Sequence, residues 1–323
     1  MAYILEGQAM GSKSSNRHPV LQDVTMGIGT WAWGDRLVWG YGGDYQREAL
    51  HEAFVYCVDA GVTFFDTAEI YGQGVSETLI GEFSSDVSRP IKIATKFMPF
   101  PWRLSQRSLL NALRRSLGRL RREKVELYQI HQPLPPVRIE VWMEAMLEAY
   151  HAGLIEAIGV SNYNYEQMLR AHEVLLRHGV PLASNQVEYH LLNREVEKNG
   201  LLRACQERDI TLIAYSPLAM GLLSGKYTPE NPPSGFRGRR YSRRFLARIQ
   251  PLIQTLREIG EAHGSRTPAQ VALNWLLCKG TVPIPGVKTK AQAEQNLGAL
   301  GWQLSEDDVA KLDEVSDWVA RKQ

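Results

Sequence analysis

Three cysteines in 323 residues, Cys57, Cys205 and Cys278, are too few and too far apart for a disulfide framework or a zinc site. They read as buried thiols of a reducing compartment. No apolar run reaches the roughly 20 residues that span a bilayer. Residues 1–20 lack both a secretory apolar region and an arginine-rich amphipathic helix. They read as a flexible tail ahead of one domain, 21–323. The expected location is cytoplasmic, or plastid stroma if a transit peptide has been removed. Excess charge is also missing. Lys and Arg total 37 against 35 Asp and Glu, and a net +2 gives no reason to expect nucleic acid. No Gly-x-Gly-x-x-Gly opens a first strand–helix unit, which counts against a doubly wound nucleotide-binding sheet.

What the chain does have is alternation. Short apolar strands are expected at Met26–Trp31, Thr63–Thr67, Ile91–Phe97, Val125–His131, Ile155–Ser161, Ala183–Tyr189, Thr211–Pro217 and Thr281–Gly286. Helical periodicity lies between them, at Gln46–Ala60, Ser105–Leu120, Arg138–Ala152, Tyr165–His178, Val196–Arg208, Pro268–Lys279 and Lys290–Leu300. Ala60-Gly61 and Ala152-Gly153 suit helix C-caps. The length fits two domains or one large barrel, and no linker divides the chain. The expected class is α/β, a single (β/α)8 TIM barrel. Leu218–Arg244 reads as a long loop after strand seven, and helices near Phe245–His263 and Glu306–Val319 as additions at the C-terminal side.

In such a barrel the C-terminal strand ends form the rim where chemistry is done. The second strand ends in Asp66, with Tyr71 five residues later. The third carries Lys96 and the fourth ends in His131. Each alone has an ordinary structural reading as an ion pair, a loop cap or a turn residue. Together they are the parts of a proton-donating site. A free tyrosine has a pKa of about 10, and a nearby ammonium is expected to lower it. Lys96 would supply that charge, Asp66 would hold Lys96, and His131 would orient a carbonyl oxygen. Trp31, Trp33, Trp39, Tyr41 and Trp102 follow strands one and three, as pocket lining or as loop packing. Arg237, Arg239, Arg240, Arg243 and Arg244 read first as a solvated basic loop and second as a cover for phosphates.

Phe64–Gly72, the Lys96 strand, Gln129–Pro133, Gly159–Tyr163, Asn185–Tyr189 and Ala214–Leu218 together resemble, in order, the signature set of the aldo-keto reductase family. The likeness spans about Val24 to Val315. Within the family it is nearest to members from photosynthetic organisms, pyridoxal-reductase-like proteins among them. The resemblance implies NADPH-dependent reduction of aldehydes or ketones without a Rossmann domain. It makes Asp66, Tyr71, Lys96 and His131 the catalytic tetrad. It gives the nicotinamide carboxamide to Ser161, Asn162 and Gln186, and the nicotinamide ring face to Tyr215. It gives the pyrophosphate to Ser216, Pro217, Leu218 and the loop beyond, and the adenosine phosphate to Gly286, Lys288, Gln292 and Asn296. Thr30, Trp31, Asp66 and Lys226 complete the implied cofactor set. Gln292 stands where many relatives carry arginine for the 2′-phosphate, a charge that Lys288 could replace. Met220 stands where other branches are polar or basic. No metal is implied. The implied partner is a small carbonyl compound, with neither nucleic acid nor membrane, and the implied state is a monomer or weak homo-oligomer. Two other functions fit parts of the pattern: a non-catalytic NADP(H)-sensing regulatory subunit, and an aldolase forming a Schiff base on Lys96.

Overall fold

The computed structural model describes residues 17–321, without the side chains of residues 236 and 237. Eight strands form one parallel sheet in sequence order. They are β1 (Ile28–Gly29), β2 (Phe64–Asp66), β3 (Lys92–Phe97), β4 (Leu127–Ile130), β5 (Ile158–Ser161), β6 (Leu182–Glu188), β7 (Thr211–Tyr215) and β8 (Val282–Pro283). The sheet curls round until β8 meets β1. Gly27 N–H donates to Pro283 O at 3.0 Å and Gly29 N–H to Pro285 O at 3.1 Å, and Gly29 bridges Gly286. All eight expected strands are present; seven are shorter than the apolar runs that contain them, and β6 keeps its expected length but starts one residue earlier, at Leu182.

Helices cover the outside because each presents one apolar stripe to the sheet. Arg47–Asp59, Gln106–Leu120, Ile139–His151, Tyr165–Leu176, Pro268–Cys278 and Lys290–Leu297 fall where periodicity places them. Gly61 and Gly153 follow their helices in the left-handed conformation expected of C-caps. Asn164 with Gln167 and Thr267 with Gln270 form capping boxes. Three helical features differ from expectation. Val75–Phe83 is a helix after β2 that the pattern did not reveal. The single helix expected over 196–208 is two, Glu195–Lys198 and Leu201–Glu207, broken where Gly200 turns left-handed. The long loop after β7 carries a 3-10 segment, Ala219–Ser224, and a short helix, Gly235–Arg240. The two added helices are Arg243–Ala262 and Glu306–Arg321, packed on each other.

Inside the barrel, Phe64, Ala94, Leu127, Ala157, Ile213 and Val282 form an apolar plug. A 3-10 turn at Pro19–Leu21 stoppers its floor with Val20, Leu21 and Val24. Arg17–Val20, read from sequence as the end of a tail, are therefore docked. Arg17 donates to Gly280 O at 2.7 Å, and Lys92 Nζ to Val20 O at 2.9 Å. Residues 1–16 of that tail lie outside the described residues. Two residues further along each strand the interior turns polar, with Asp66, Lys96 and Gln129 all fully buried. That layer is the floor of the site.

Candidate active site

Lys96 is wholly enclosed and its ammonium has three partners. It donates to Asp66 Oδ1 at 2.5 Å, to Thr67 O at 2.8 Å and to Tyr71 Oη at 3.4 Å. Asp66 comes from the end of β2 and Lys96 from β3. Tyr71 comes from a turn whose next residues, Gly72 and Gln73, are left-handed (φ 55° and 57°). That bend swings the phenol back over the strand ends. The imidazole of His131, just past β4, meets the Tyr71 ring edge-on with centroids 5.8 Å apart. The four residues singled out from sequence therefore converge.

The electrostatics correct one expectation. Lys96 does not pull the Tyr71 phenol down. Burial, reinforced by the negative charge of Asp66, pushes it well above 10. The ammonium and carboxylate form a pair whose net charge is near zero, so little field is left to favour phenolate. Tyr71 keeps part of its surface open to the cavity above. Burial also lowers Lys96, opposed by Asp66 and Glu77. Burial and the Lys96 charge hold His131 down to about 3, so its imidazole is neutral.

Of the residues that brace this centre, sequence reasoning singled out only Gln186, and for the cofactor rather than for Asp66. Glu77 is fully buried, accepting from Thr95 Oγ1 at 2.5 Å and Arg119 Nε at 2.6 Å. Glu69 accepts from Met98 N at 2.8 Å and from both terminal nitrogens of Arg103, which ties the Tyr71 turn to the loop after β3. Gln129 and Gln186 both donate to Asp66 Oδ2, at 3.3 and 2.7 Å. Amphipathic patterning of Val75–Phe83 would have set Glu77 in solvent, whereas it is buried. No pattern distinguishes Gln129 from any other strand polar residue.

Above the tetrad lies a cavity of about 420 Å³, within the usual size of a ligand site. Asp66, Tyr71 and His131 reach its wall, as do all the residues assigned to cofactor binding from sequence. Lys96 lies beneath it. At the inner end Tyr215 Oη donates to Asn162 Oδ1 at 2.9 Å, Asn162 Nδ2 to Ser161 Oγ at 3.1 Å, and Ser161 Oγ to Gln186 O at 2.9 Å. Thr30 is fully buried and its hydroxyl is engaged with Asp66 O and Ser76, so it braces the wall. Along one side Ser216, Ala219 and Met220 are left-handed (φ 48°, 49° and 55°) although none is glycine. Such strain costs of order 1–3 kcal/mol per residue and gathers at functional segments. At the outer end Lys288 Nζ lies 4.8 Å from the Tyr45 ring centroid and 5.6 Å from that of Trp39. Gln292 Oε1 accepts from Lys288 N at 2.9 Å, and Asn296 Nδ2 donates to Gly286 O at 3.4 Å.

The tryptophans divide. Trp31 and Trp39 line the cavity, edge to face at 5.5 Å. Trp33 does not. It is fully buried and donates its indole N–H to Val287 O at 2.9 Å, so it is core. Tyr41 packs on Tyr45, and Trp102 stacks on Phe100 away from the cavity wall. Arg239, Arg240, Arg243 and Arg244 lie off the wall too, and the side chain of Arg237 is outside the described residues. Among the described residues no cluster of three metal ligands occurs, and no helix is long and apolar enough to cross a membrane.

An eight-stranded parallel barrel with a ligand-sized cavity at the C-terminal strand ends is an enzyme architecture, and known proteins say which. The chain belongs to the aldo-keto reductase family and is an oxidoreductase: a sequence model of the Aldo/keto reductase family matches residues 25–317. It is 40% identical to the chloroplastic pyridoxal reductase of Arabidopsis thaliana over 301 residues, 89% of this chain and 82% of that protein. It is 41% identical over 286 residues to an uncharacterised oxidoreductase of Mycobacterium tuberculosis, 87% of this chain and 85% of that one. An aldo-keto reductase from Klebsiella pneumoniae, crystallised with NADPH, superposes with a TM-score of 0.70 at 27% identity over 90% of each chain.

Proposed function

We propose that the protein reduces aldehyde or ketone carbonyls to alcohols with NADPH, Tyr71 donating the proton. The observation that carries this is the bond from a fully buried lysine ammonium to the tyrosine hydroxyl at the base of a ligand-sized cavity, beside a neutral imidazole. When bound, NADPH would supply the hydride that reduces the carbonyl carbon. Tyr71 hydrogen-bonds the carbonyl oxygen and gives up its proton as negative charge builds there. Lys96 stabilises the phenolate left behind, and Asp66 keeps Lys96 in place. His131, uncharged, adds a second polar contact to the same oxygen, as in an oxyanion hole.

The residues present suit the cofactor. An amide needs donors and acceptors, which Ser161, Asn162 and Gln186 offer at the inner end. Tyr215, with burial pushing its phenol up to about 12, stays neutral and offers a ring face. The strained Ser216–Met220 stretch, with Lys226, suits a diphosphate. Lys288 lines the cavity beside Gln292, which supplies no charge. The aldolase reading loses ground here, because Lys96 is enclosed and held as ammonium by three acceptors.

The direct test is NADPH oxidation over a panel of carbonyls including pyridoxal, methylglyoxal, and short and aromatic aldehydes. No turnover with any of them, despite bound nucleotide, would instead support the regulatory-subunit reading. Two further results are expected. Lys288→Ala should raise the KM for NADPH about tenfold and leave that for NADH nearly unchanged, since a charge-assisted contact contributes about 1.5–3 kcal/mol. Equal weakening of both cofactors would show that Lys288 does not read the 2′-phosphate. The pH profile should be flat through the neutral range. Tyr71 is the active acid below its raised pKa, and His131 is neutral above about 3. Activity is then lost only as rising pH deprotonates Tyr71 or Lys96. A limb in kcat/KM near pH 6.5, the ordinary histidine value, would contradict the neutral His131.

A further inference from the structure

Asp66 is the only carboxylate bonded to Lys96 among the described residues, and its second oxygen has partners of its own. Oδ1 takes the ammonium, while Oδ2 accepts from Gln186 at 2.7 Å and from Gln129 at 3.3 Å. Gln129 is fully buried on β4, directly in register with Lys96 on one side and Gly159 on the other. Gly159 leaves it room. A Cβ there would stand 2.9 Å from Gln129 Cγ and 2.4 Å from Ser184 Oγ, closer than carbon atoms tolerate. Gln129 also carries a cost, since its own Oε1 is buried without a hydrogen-bond partner. A leucine would fit the apolar layer below better. A buried amide with one orphaned end is explained by what its other end does.

We infer that Gln129 is a positioning residue for catalysis, fixing the Asp66 carboxylate so that Lys96 stays an ammonium aimed at Tyr71. Gly159 is the backbone position that permits it. This rests on the reading of Tyr71 as proton donor. The ionisable groups around Gln129 are Asp66 and Lys96; Glu77, on the helix after β2, acts on Lys96, and the pair in turn acts on Tyr71, in the turn after β2, and on His131, just past β4.

Gln129→Met and Gln129→Glu test it in the full chain. The methionine variant keeps the volume and removes the donor. Its kcat should fall about tenfold with the carbonyl KM within about twofold. The glutamate variant keeps the shape. Protonated, its hydroxyl donates to Asp66 Oδ2 as the amide did. Ionised, it sets a second negative charge against Asp66, and two carboxylates sharing a site raise the upper apparent pKa of the pair. Gln129→Glu should therefore approach wild-type activity at low pH and lose it as pH rises, while wild type stays flat. A purely structural role would move stability and leave the shape of the profile unchanged. A methionine variant within twofold of wild-type kcat, or a glutamate profile parallel to wild type, overturns the inference. Tyr71→Phe, run beside them, separates the two readings. If it stays active the donor assignment fails and this inference falls with it. If it is inactive while both Gln129 variants behave as wild type, only this inference fails.

Discussion

Tyr71→Phe is expected to lower kcat/KM for carbonyl reduction by about 10²–10⁴-fold, the usual loss for a general acid. NADPH binding should be nearly unchanged, because the substitution removes one oxygen and keeps the ring that meets His131 edge-on. Among the described residues the phenol is bonded only to Lys96, at 3.4 Å, so its removal leaves Lys96 still satisfied by Asp66 and Thr67. Fold and cavity should therefore survive. Lys96→Met is expected to be as damaging for the opposite reason: it leaves Asp66 buried without its counter-ion and Tyr71 without the charge that stabilises its phenolate. Groups that act as one unit are non-additive, so the double variant should be little worse than either single one. The measurement is kcat/KM for the three variants with NADPH Kd alongside. Tyr71→Phe within threefold of wild type would remove it as donor, and multiplicative losses would show that the two residues act separately.

A large stability effect is also expected far from the chemistry, at Arg194. Its side chain is 9% exposed, and its guanidinium is bonded to Glu197 at 2.7 Å, to the Asp313 carbonyl at 2.7 Å and to the Asp313 carboxylate at 3.3 Å, and seated over the Trp275 ring. Glu197 accepts in addition from Tyr189 Oη at 2.6 Å, and Asp313 from Lys279 at 2.6 Å. The cluster fastens the loop after β6 to the C-terminal helix. Removing one member of a buried charge network leaves its partners uncompensated, typically at about 3–5 kcal/mol. These carboxylates are partly solvated, so Arg194→Met should cost near the lower figure, a drop in Tm of roughly 5–10 °C. Burial raises Glu197, but bonds from Arg194 and Tyr189 and the charge of Lys279 bring it net below the usual carboxylate value. A depressed carboxylate contributes stability above its unfolded pKa of about 4.3 and loses it as pH falls through the folded value. Thermal melts of wild type should therefore decline in that acid range, and those of Arg194→Met should decline less. An unchanged Tm at neutral pH would show that the cluster contributes nothing net.

Much of this was legible in the chain, for definite reasons. The strands are buried on both faces, so they read as plain apolar runs, and their final residues inherit the rim by topology alone. Asp66, Lys96 and His131 needed no more than that. What escaped depends on geometry that spacing does not encode. The helix Val75–Phe83 begins after a left-handed Gly74 with no side-chain cap, so its start carries no signal. The direction of the Tyr71 shift depends on how closely Asp66 pairs with Lys96, and a sequence lists charges without their separations. Trp33 and Trp31 are two residues apart with opposite fates, because β1 has already ended and its alternation no longer applies. Gln129 owes its role to a carboxylate two strands away and to a missing methyl on β5.

The floor stopper has a practical bearing. Pro19–Leu21 seals the barrel against the N-terminal strand ends, where Lys92 and Gly280 hold Val20 and Arg17. The cavity opens at the opposite ends of the same strands. A support or fusion joined ahead of Arg17 would thus be attached on the closed side of the barrel and leave the mouth facing solution.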